Sequence, residues 1–247
     1  MRRYCFFLMA ALTAVPAAAQ ALTGREILEK VDGNLFAEKA VSRTRMVIHS
    51  RTGSRTVESI VWTKGKDRAL VEYTSPAREK GKKMLKLGDK LWTYTPEPND
   101  RIIAISGHLL RQAVMGSDLS YEDITENTKL TEDYEATLVG EEEVEGRNCH
   151  VLQLTAVKQD LAYHGRKVWI DAERWLPLRE DRFAKSGRLL KTTRVLEALR
   201  VDERWYPKRM TFKDMLSRGQ GTEYLVESID FKADIPDHML TKASLRK

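Results

Sequence analysis

Apolar residues recur along this chain in two rhythms. Between Thr23 and Leu35, the residues Ile27, Leu28, Val31 and Leu35 fall on one helical face. Thr23 followed three residues later by Glu26 has the form of a capping box, and Gly33 stands near the far end, so the spacing predicts a helix here. From Arg45 onward the period is two. Met46 and Ile48 alternate with Arg45, Val47 and His49; Ile60 and Trp62 alternate with Ser59, Val61 and Thr63; Leu91 and Thr93 alternate with Trp92 and Tyr94. Turn chemistry separates these runs at Thr52-Gly53-Ser54, Lys64-Gly65-Lys66, Ser75-Pro76, Gly88-Asp89 and Pro96-Glu97-Pro98-Asn99-Asp100. Strands roughly 8–12 residues apart predict an antiparallel meander ending as a sandwich or barrel. On this phase Met46, Ile48, Ile60, Trp62, Trp92 and Tyr94 are expected to face inward, because neighbours such as Arg45, Ser59, Val61 and Thr93 are on average more polar or smaller.

Residues 106–125 break the meander. Ser106-Gly107-His108 leads into Leu109, Leu110, Ala113 and Val114, the pattern of a short amphipathic helix. Met115-Gly116-Ser117-Asp118 ends it, and a second short turn is expected through Tyr121 and Ile124. Leu109, Leu110, Ala113, Val114 and Met115 are too many apolar residues for a solvated helix of this length, so they are expected to cover the open end of the sheet as a lid. Strands resume near 134–139, 149–157, 167–171, 178–184, 189–199, 205–212 and 223–231, with hairpin turns at Ser186-Gly187 and Arg218-Gly219-Gln220-Gly221. No linker, low-complexity tract or charge block divides residues 20–247, which are expected to form one domain. The fold class is mainly β with some helix (α+β): one long antiparallel sheet, an N-terminal helix and a mid-chain helical insertion.

The first 19 residues differ from the rest. Arg2 and Arg3 form a basic start, residues 4–15 an apolar run too short to span a bilayer, and Ala17-Ala18-Ala19 a small-residue cleavage site before Gln20. This is the pattern of a cleavable secretory signal peptide, so the mature protein is expected in the periplasm without a permanent membrane anchor. Cleavage lowers the formal net charge from +6 to +4, because Arg2 and Arg3 leave with the signal. A modest positive balance outside the cytoplasm argues against nucleic acid and suits anionic lipid head groups or an acidic protein. Cys149 alone survives cleavage, so no intramolecular disulfide is available.

Reactive groups do not converge. His49, His108, His150, His164 and His238 make no ligand pair, and the neighbours Cys149 and His150 point to opposite faces of a strand, so no metal site and no cofactor are expected. The glycines form no phosphate loop and no nucleophile elbow. Glu141-Glu142-Glu143 reads as a solvated run in a turn. Asp118, Glu122 and Asp123 crowd the insertion, where Asp118 is expected to cap a short helix. The basic run Lys80-Gly81-Lys82-Lys83, with Lys86, reads as an exposed loop and strand face. A hydrolase would have to be built from Ser117, Asp118 and His108, whose spacing supports no base–nucleophile pair. What remains is an apolar and aromatic sheet with few helices to cover it. Such a sheet, wrapped around loosely filling helices, encloses a cavity suited to acyl chains.

Three stretches resemble a known family. Gly88-Asp89-Lys90-Leu91-Trp92-Thr93-Tyr94-Thr95-Pro96 is similar to the turn–strand segment of periplasmic lipoprotein carriers of the LolA type. Met115-Gly116-Ser117-Asp118-Leu119-Ser120-Tyr121-Glu122-Asp123 resembles the signature of the related outer-membrane lipoprotein-sorting proteins, with Gly116, Ser117, Asp118 and Tyr121 as its motif positions. Val168-Trp169-Ile170-Asp171 followed by Leu176-Pro177-Leu178-Arg179 fits the same group. The resemblance implies an incomplete antiparallel β-barrel with a helical lid and an apolar interior, non-catalytic, that carries lipid or the acyl chains of lipoproteins across the periplasm. An inner-membrane transporter or an outer-membrane acceptor would be its protein partner. The chain is longer than the best-known carriers, and their functional arginine has no assigned counterpart in it. A sensing or export-pump accessory module of the same fold remains the alternative.

Overall fold

The computed structural model describes residues 22–247; the expected signal peptide lies outside the described residues. The first helix, α1 (Gly24–Leu35), starts as its sequence dictates. The Thr23 side chain accepts from the Glu26 backbone N–H, the Glu26 carboxylate accepts from the Thr23 N–H at 2.8 Å, and Ile27, Leu28 and Val31 are buried on one face.

Six strands follow: β1 (Lys39–Ser50), β2 (Gly53–Lys64), β3 (Arg68–Ser75), β4 (Lys83–Leu87), β5 (Lys90–Thr95) and β6 (Arg101–Ile105). After the insertion come β7 (Tyr134–Val144), β8 (Arg147–Ala156), β9 (Gly165–Asp171), β10 (Pro177–Phe183), β11 (Leu189–Val201), β12 (Arg204–Asp214) and β13 (Thr222–Asp230). All thirteen form one antiparallel sheet, in the order β6-β5-β4-β3-β2-β1-β13-β12-β11-β10-β9-β8-β7. The β1–β13 pairing joins the two halves of the chain at the middle of the sheet and leaves β6 and β7 as unpaired edges. The sheet is therefore an incomplete barrel, and residues 106–133 connect its two open edges. Glu141-Glu142-Glu143 lies on the exposed edge strand β7 rather than in a turn, after a register shift at Gly140. Charge on an unpaired edge discourages further strand pairing.

Period-two geometry divides the sheet into two faces. The pairs Leu138↔Leu152, Leu152↔Val168, Val168↔Glu180 and Glu180↔Thr193 place these residues on one inner face, which continues through Phe212, Thr222 and Ile48. Helix α1 covers the β7–β9 end of this face, packing on Tyr134, Leu152, Leu154, Val168 and Ile170. The insertion covers the β1–β6 end, where Val114 and Leu119 join Met46, Ile48, Val57, Val71 and Met84.

Met46 and Ile48 face inward as expected, but the phase expected for β2 and β5 is wrong. Met46 pairs with Val57 and Val61 with Val71, so Val57 and Val61 are the inner residues of β2, while Ile60 and Trp62 project from the opposite face. Trp92 and Tyr94 follow them outward through Leu70, Leu85 and the β4–β5 register. That outer face is not solvent: residues 235–245 lie on it, and Ile235, Leu240 and Leu245 pack with Leu70, Leu85, Tyr94, Trp62 and Trp92. A strand covered on both faces has no polar side to fix its phase.

Candidate functional site

Two short turns replace the single amphipathic helix expected at 106–115. Gly107–Arg111 and Val114–Gly116 are 3-10 turns, and Gly107, Met115 and Gly116 all have positive φ, which interrupts α-helical continuation. Met115 holds its left-handed conformation (φ 53°) while its carbonyl accepts from the Arg55 guanidinium. The Val114 N–H donates to the Leu119 carbonyl at 2.8 Å, closing a loop that turns Val114 and Leu119 onto the inner face. Leu109, Leu110, Met115 and Tyr121 are partly buried against the same cluster, whereas Ala113 is exposed and forms an isolated bridge with Ser120.

The remaining motif residues anchor this loop. The Ser117 hydroxyl donates to the Leu119 carbonyl and accepts the Leu119 N–H, both at 3.2 Å. Asp118 does not cap a helix. Its carboxylate accepts from the Thr222 hydroxyl at 2.8 Å and the Asp214 N–H at 2.9 Å, tying the insertion to the β12–β13 hairpin. Capping belongs to Ser120 and Asp123, which form a capping box at the start of the one-turn helix α2 (Tyr121–Ile124). His108 is exposed and makes no hydrogen bond to Ser117 or Asp118, so the structure does not assemble the hydrolase constellation.

Beneath α2 lies a buried ionic cluster that sequence reasoning missed. Asp123, with a side chain 1% exposed, meets Arg182 at 2.8 Å and Lys191, and also accepts from the Tyr163 hydroxyl at 2.9 Å. Glu126 of the insertion and Glu180 of β10 grip Arg166 at 2.5 and 2.9 Å, and Glu180 also meets Arg182 at 2.9 Å. Three acids face three bases, so the cluster is formally neutral. Burial alone would favour the protonated form of Asp123, but Arg182 and Lys191 outweigh it and hold its carboxyl well below the usual range. Glu180 is lowered in the same way: burial opposes its charge, and Arg182 and Arg166 overcome that cost. Burial and the Asp123 charge push the Tyr163 hydroxyl upward, which keeps it a donor. Lys86 secures the insertion from the other side, donating to the Thr125 carbonyl at 3.3 Å. It is half-buried on the inner face, not part of a solvated run, and burial lowers its pKa.

These covers leave two adjoining spaces. An inner cavity of about 250 Å³ lies between α1, the insertion and the sheet; Leu35, Leu119, Ile124, Val195, Met210 and Phe212 form its apolar wall, and the ionic cluster forms one end. A wider mouth of about 650 Å³ opens between the edges, bounded by Leu91, Leu110, Leu161 and Tyr163 together with Lys86, Arg111 and Glu122. Both spaces touch Asp123, Glu126, Thr128 and Arg166, so the cluster stands at their junction. Of the six expected cavity residues, none is among the residues bounding the inner cavity: Met46 and Ile48 lie deeper in the adjoining apolar core, and Ile60, Trp62, Trp92 and Tyr94 lie on the other face. Among the described residues no group of His, Cys, Asp and Glu has metal-binding geometry. Cys149 is buried, and burial pushes its thiol up to about 11.

The architecture has relatives among solved structures. A crystal structure of a DUF1329 family protein from Desulfovibrio piger is 25% identical, with a TM-score of 0.82, covering 90% of this chain and 98% of that one. A LolA superfamily protein from Nitrosomonas europaea is 26% identical, with a TM-score of 0.77, covering 91% of this chain and 100% of that one. A putative outer membrane lipoprotein-sorting protein domain from Vibrio parahaemolyticus shares the fold, at 21% identity and a TM-score of 0.80, over 91% of this chain and 98% of that one. No curated protein matches the sequence. The family model that matches residues 65–247, more than half of the chain, is described as "Uncharacterized protein". The chain belongs to that family, and it shares its fold with the LolA superfamily protein and the lipoprotein-sorting domain.

Proposed function

We propose that this protein is a periplasmic, non-catalytic carrier that takes lipid, or the acyl chains of lipoproteins, into the space between its sheet and the insertion for sorting to the outer membrane. The inner cavity carries this proposal: it has an apolar wall, it lies under the insertion, and it opens toward a wider mouth. At about 250 Å³ it falls below the roughly 300–1,000 Å³ of ordinary ligand pockets. On this reading an acyl chain enters from the mouth as the insertion moves away from Met210 and Phe212. Met210 suits such a wall because an unbranched thioether adapts to varied chains. Neutral pairing of the ionic cluster gives the mouth a polar lining without a free nucleophile, which agrees with transport rather than chemistry.

The test is displacement of a fluorescent fatty-acid probe from the mature protein, with mass spectrometry of lipids that co-purify. Leu119→Glu places an unpaired charge against the cavity and is expected to lower probe affinity at least tenfold, because an uncompensated buried charge is strongly disfavoured. Leu109 is only half-buried, so Leu109→Glu is expected to have a smaller effect. If the wild-type protein neither binds the probe nor retains lipid, the carrier proposal fails.

A further inference from the structure

Six large hydrophobic side chains are exposed among the described residues, and only Met215 and Leu216 are neighbours in sequence, at 47% and 53% exposure. They form the tip of the β12–β13 hairpin. Two other turns stand beside it. The His49 N–H donates to the Gly221 carbonyl and the Gln220 N–H to the His49 carbonyl, which brings in the β1–β2 turn; the Met215 N–H donates to the Leu190 carbonyl, which brings in the β10–β11 turn.

Charge on these three turns is one-sided. Arg51, Lys185, Arg188 and Arg218 are exposed, and none of them is ion-paired among the described residues, although ion pairs are frequent elsewhere on the molecule. Lys213 adds a fifth positive charge, folded onto the Ser217 and Gly219 carbonyls. The three turns hold one acid, Asp214, and its carboxylate accepts from the Leu216 N–H at 2.7 Å, which fixes the tip. Adjacent exposed apolar side chains ringed by unpaired guanidinium and ammonium groups complement an anionic bilayer surface: the basic groups meet phosphates while Met215 and Leu216 enter the acyl boundary.

We infer that the tips of the β12–β13, β1–β2 and β10–β11 hairpins form a docking surface for anionic phospholipid membranes. This inference rests on the carrier proposal and says where the carrier meets the bilayer. The position suits that role. Asp118 joins the insertion to the docking hairpin through Thr222 and Asp214, and Arg55 of the neighbouring strand holds the Met115 carbonyl, so a docked hairpin stands directly beside the cover of the cavity.

Co-sedimentation with vesicles of phosphatidylethanolamine and phosphatidylglycerol, against pure phosphatidylcholine, tests it. The wild-type protein is expected to bind only the anionic vesicles, and more weakly as salt rises. The pair Arg188→Gln and Arg218→Gln is expected to lower binding about twenty-five-fold, at about fivefold per basic residue. Leu216→Asp is expected to abolish probe transfer between vesicles while leaving fatty-acid probe affinity and the melting temperature unchanged. The control pair Lys39→Gln and Arg200→Gln, exposed at the ends of β1 and β11 opposite the hairpin tips, is expected to lose far less. Equal binding by wild type and hairpin variants, or an equal loss in the control pair, overturns the docking surface. So does a loss of binding to polyglutamate in the hairpin variants with vesicle binding intact, which would assign the surface to an acidic protein. If the wild type displaces the probe but ignores all vesicles, docking is overturned and the carrier proposal stands; if it binds vesicles but never the probe, the carrier proposal fails instead.

Discussion

The insertion and the C-terminal segment cover opposite faces of the same strands, and they are held by different physics. On the inner face, residues 106–133 contribute Val114 and Leu119, with Leu109, Leu110, Met115, Tyr121 and Ile124 partly buried beside them, and are also pinned by charges withdrawn from water: Asp123 against Arg182 and Lys191, Glu126 against Arg166. On the outer face, residues 235–245 contribute a compact apolar set, with Leu245 fully buried and Ile235 and Leu240 nearly so, and their ion pairs lie in solvent. Apolar contact is non-directional and resists small displacements gradually. A buried ion pair is strong only at its own geometry, and removing one partner leaves the other charge uncompensated. In the carrier proposal the outer cover stays, and the inner one occupies a position that a competing ligand or partner disrupts.

Removing the latch should produce the largest effect. Asp123→Ala leaves Arg182 and Lys191 buried without their shared acid, and the expected cost is about 3–5 kcal/mol in a urea unfolding series. Leu245→Ala tests the other cover. It deletes a fully buried side chain, with an expected cost of about 2–4 kcal/mol, and it should leave fatty-acid probe binding unchanged because the cavity lies across the sheet. If Leu245→Ala weakens the probe as much as Leu119→Glu does, the two covers are not independent.

Acid separates them further. Asp123 and Glu180 both have folded-state pKa values below their ordinary ones, so their contribution to stability is fully present above the usual carboxylate range and is lost as pH falls through and below it. Glu122 works in the opposite sense: burial raises its pKa, so acid relieves rather than adds to its cost. Unfolding midpoints followed from about pH 6 to about pH 3 should fall, and Asp123→Asn should flatten that slope. A slope unchanged in Asp123→Asn would show that the latch does not govern acid stability.

The same comparison explains what could be seen in the sequence. Strand boundaries, the capped first helix and the break after Ile105 were legible because turn residues and period-two runs are local signals. The phase of β2 and β5 was not. Trp62 and Trp92 are large and apolar, and nothing local says that the chain's last residues will cover them. The ionic cluster was hidden for a related reason. Glu180, Asp181 and Arg182 fall within the strand predicted near 178–184 without any local mark of burial, yet Asp181 and Arg182, on opposite faces of β10, are both buried. Consecutive charges within a strand flanked by Leu178 and Phe183 are the one available hint, since a charged strand buried on both faces needs partners supplied from elsewhere. For Arg182 on the inner face Asp123 and Glu126 supply them, more than fifty residues upstream, while Asp181 on the other face pairs with Arg179 of its own strand.

The smallest expected effect is also the sharpest check on the outer cover. Asp237 meets Lys64 at 2.7 Å and Arg68 at 2.9 Å, and these lower its pKa, but its side chain is 72% exposed. In water such a pair gains little over solvation and is screened by salt. Asp237→Asn should therefore leave the melting temperature within the scatter of replicates, and any small difference should vanish at high salt. A clear, salt-resistant loss would mean that ion pairs, not Leu240 and Leu245, hold the C-terminal segment down. The two covers would then share one mechanism, and the contrast between a fixed outer face and a releasable inner one would collapse.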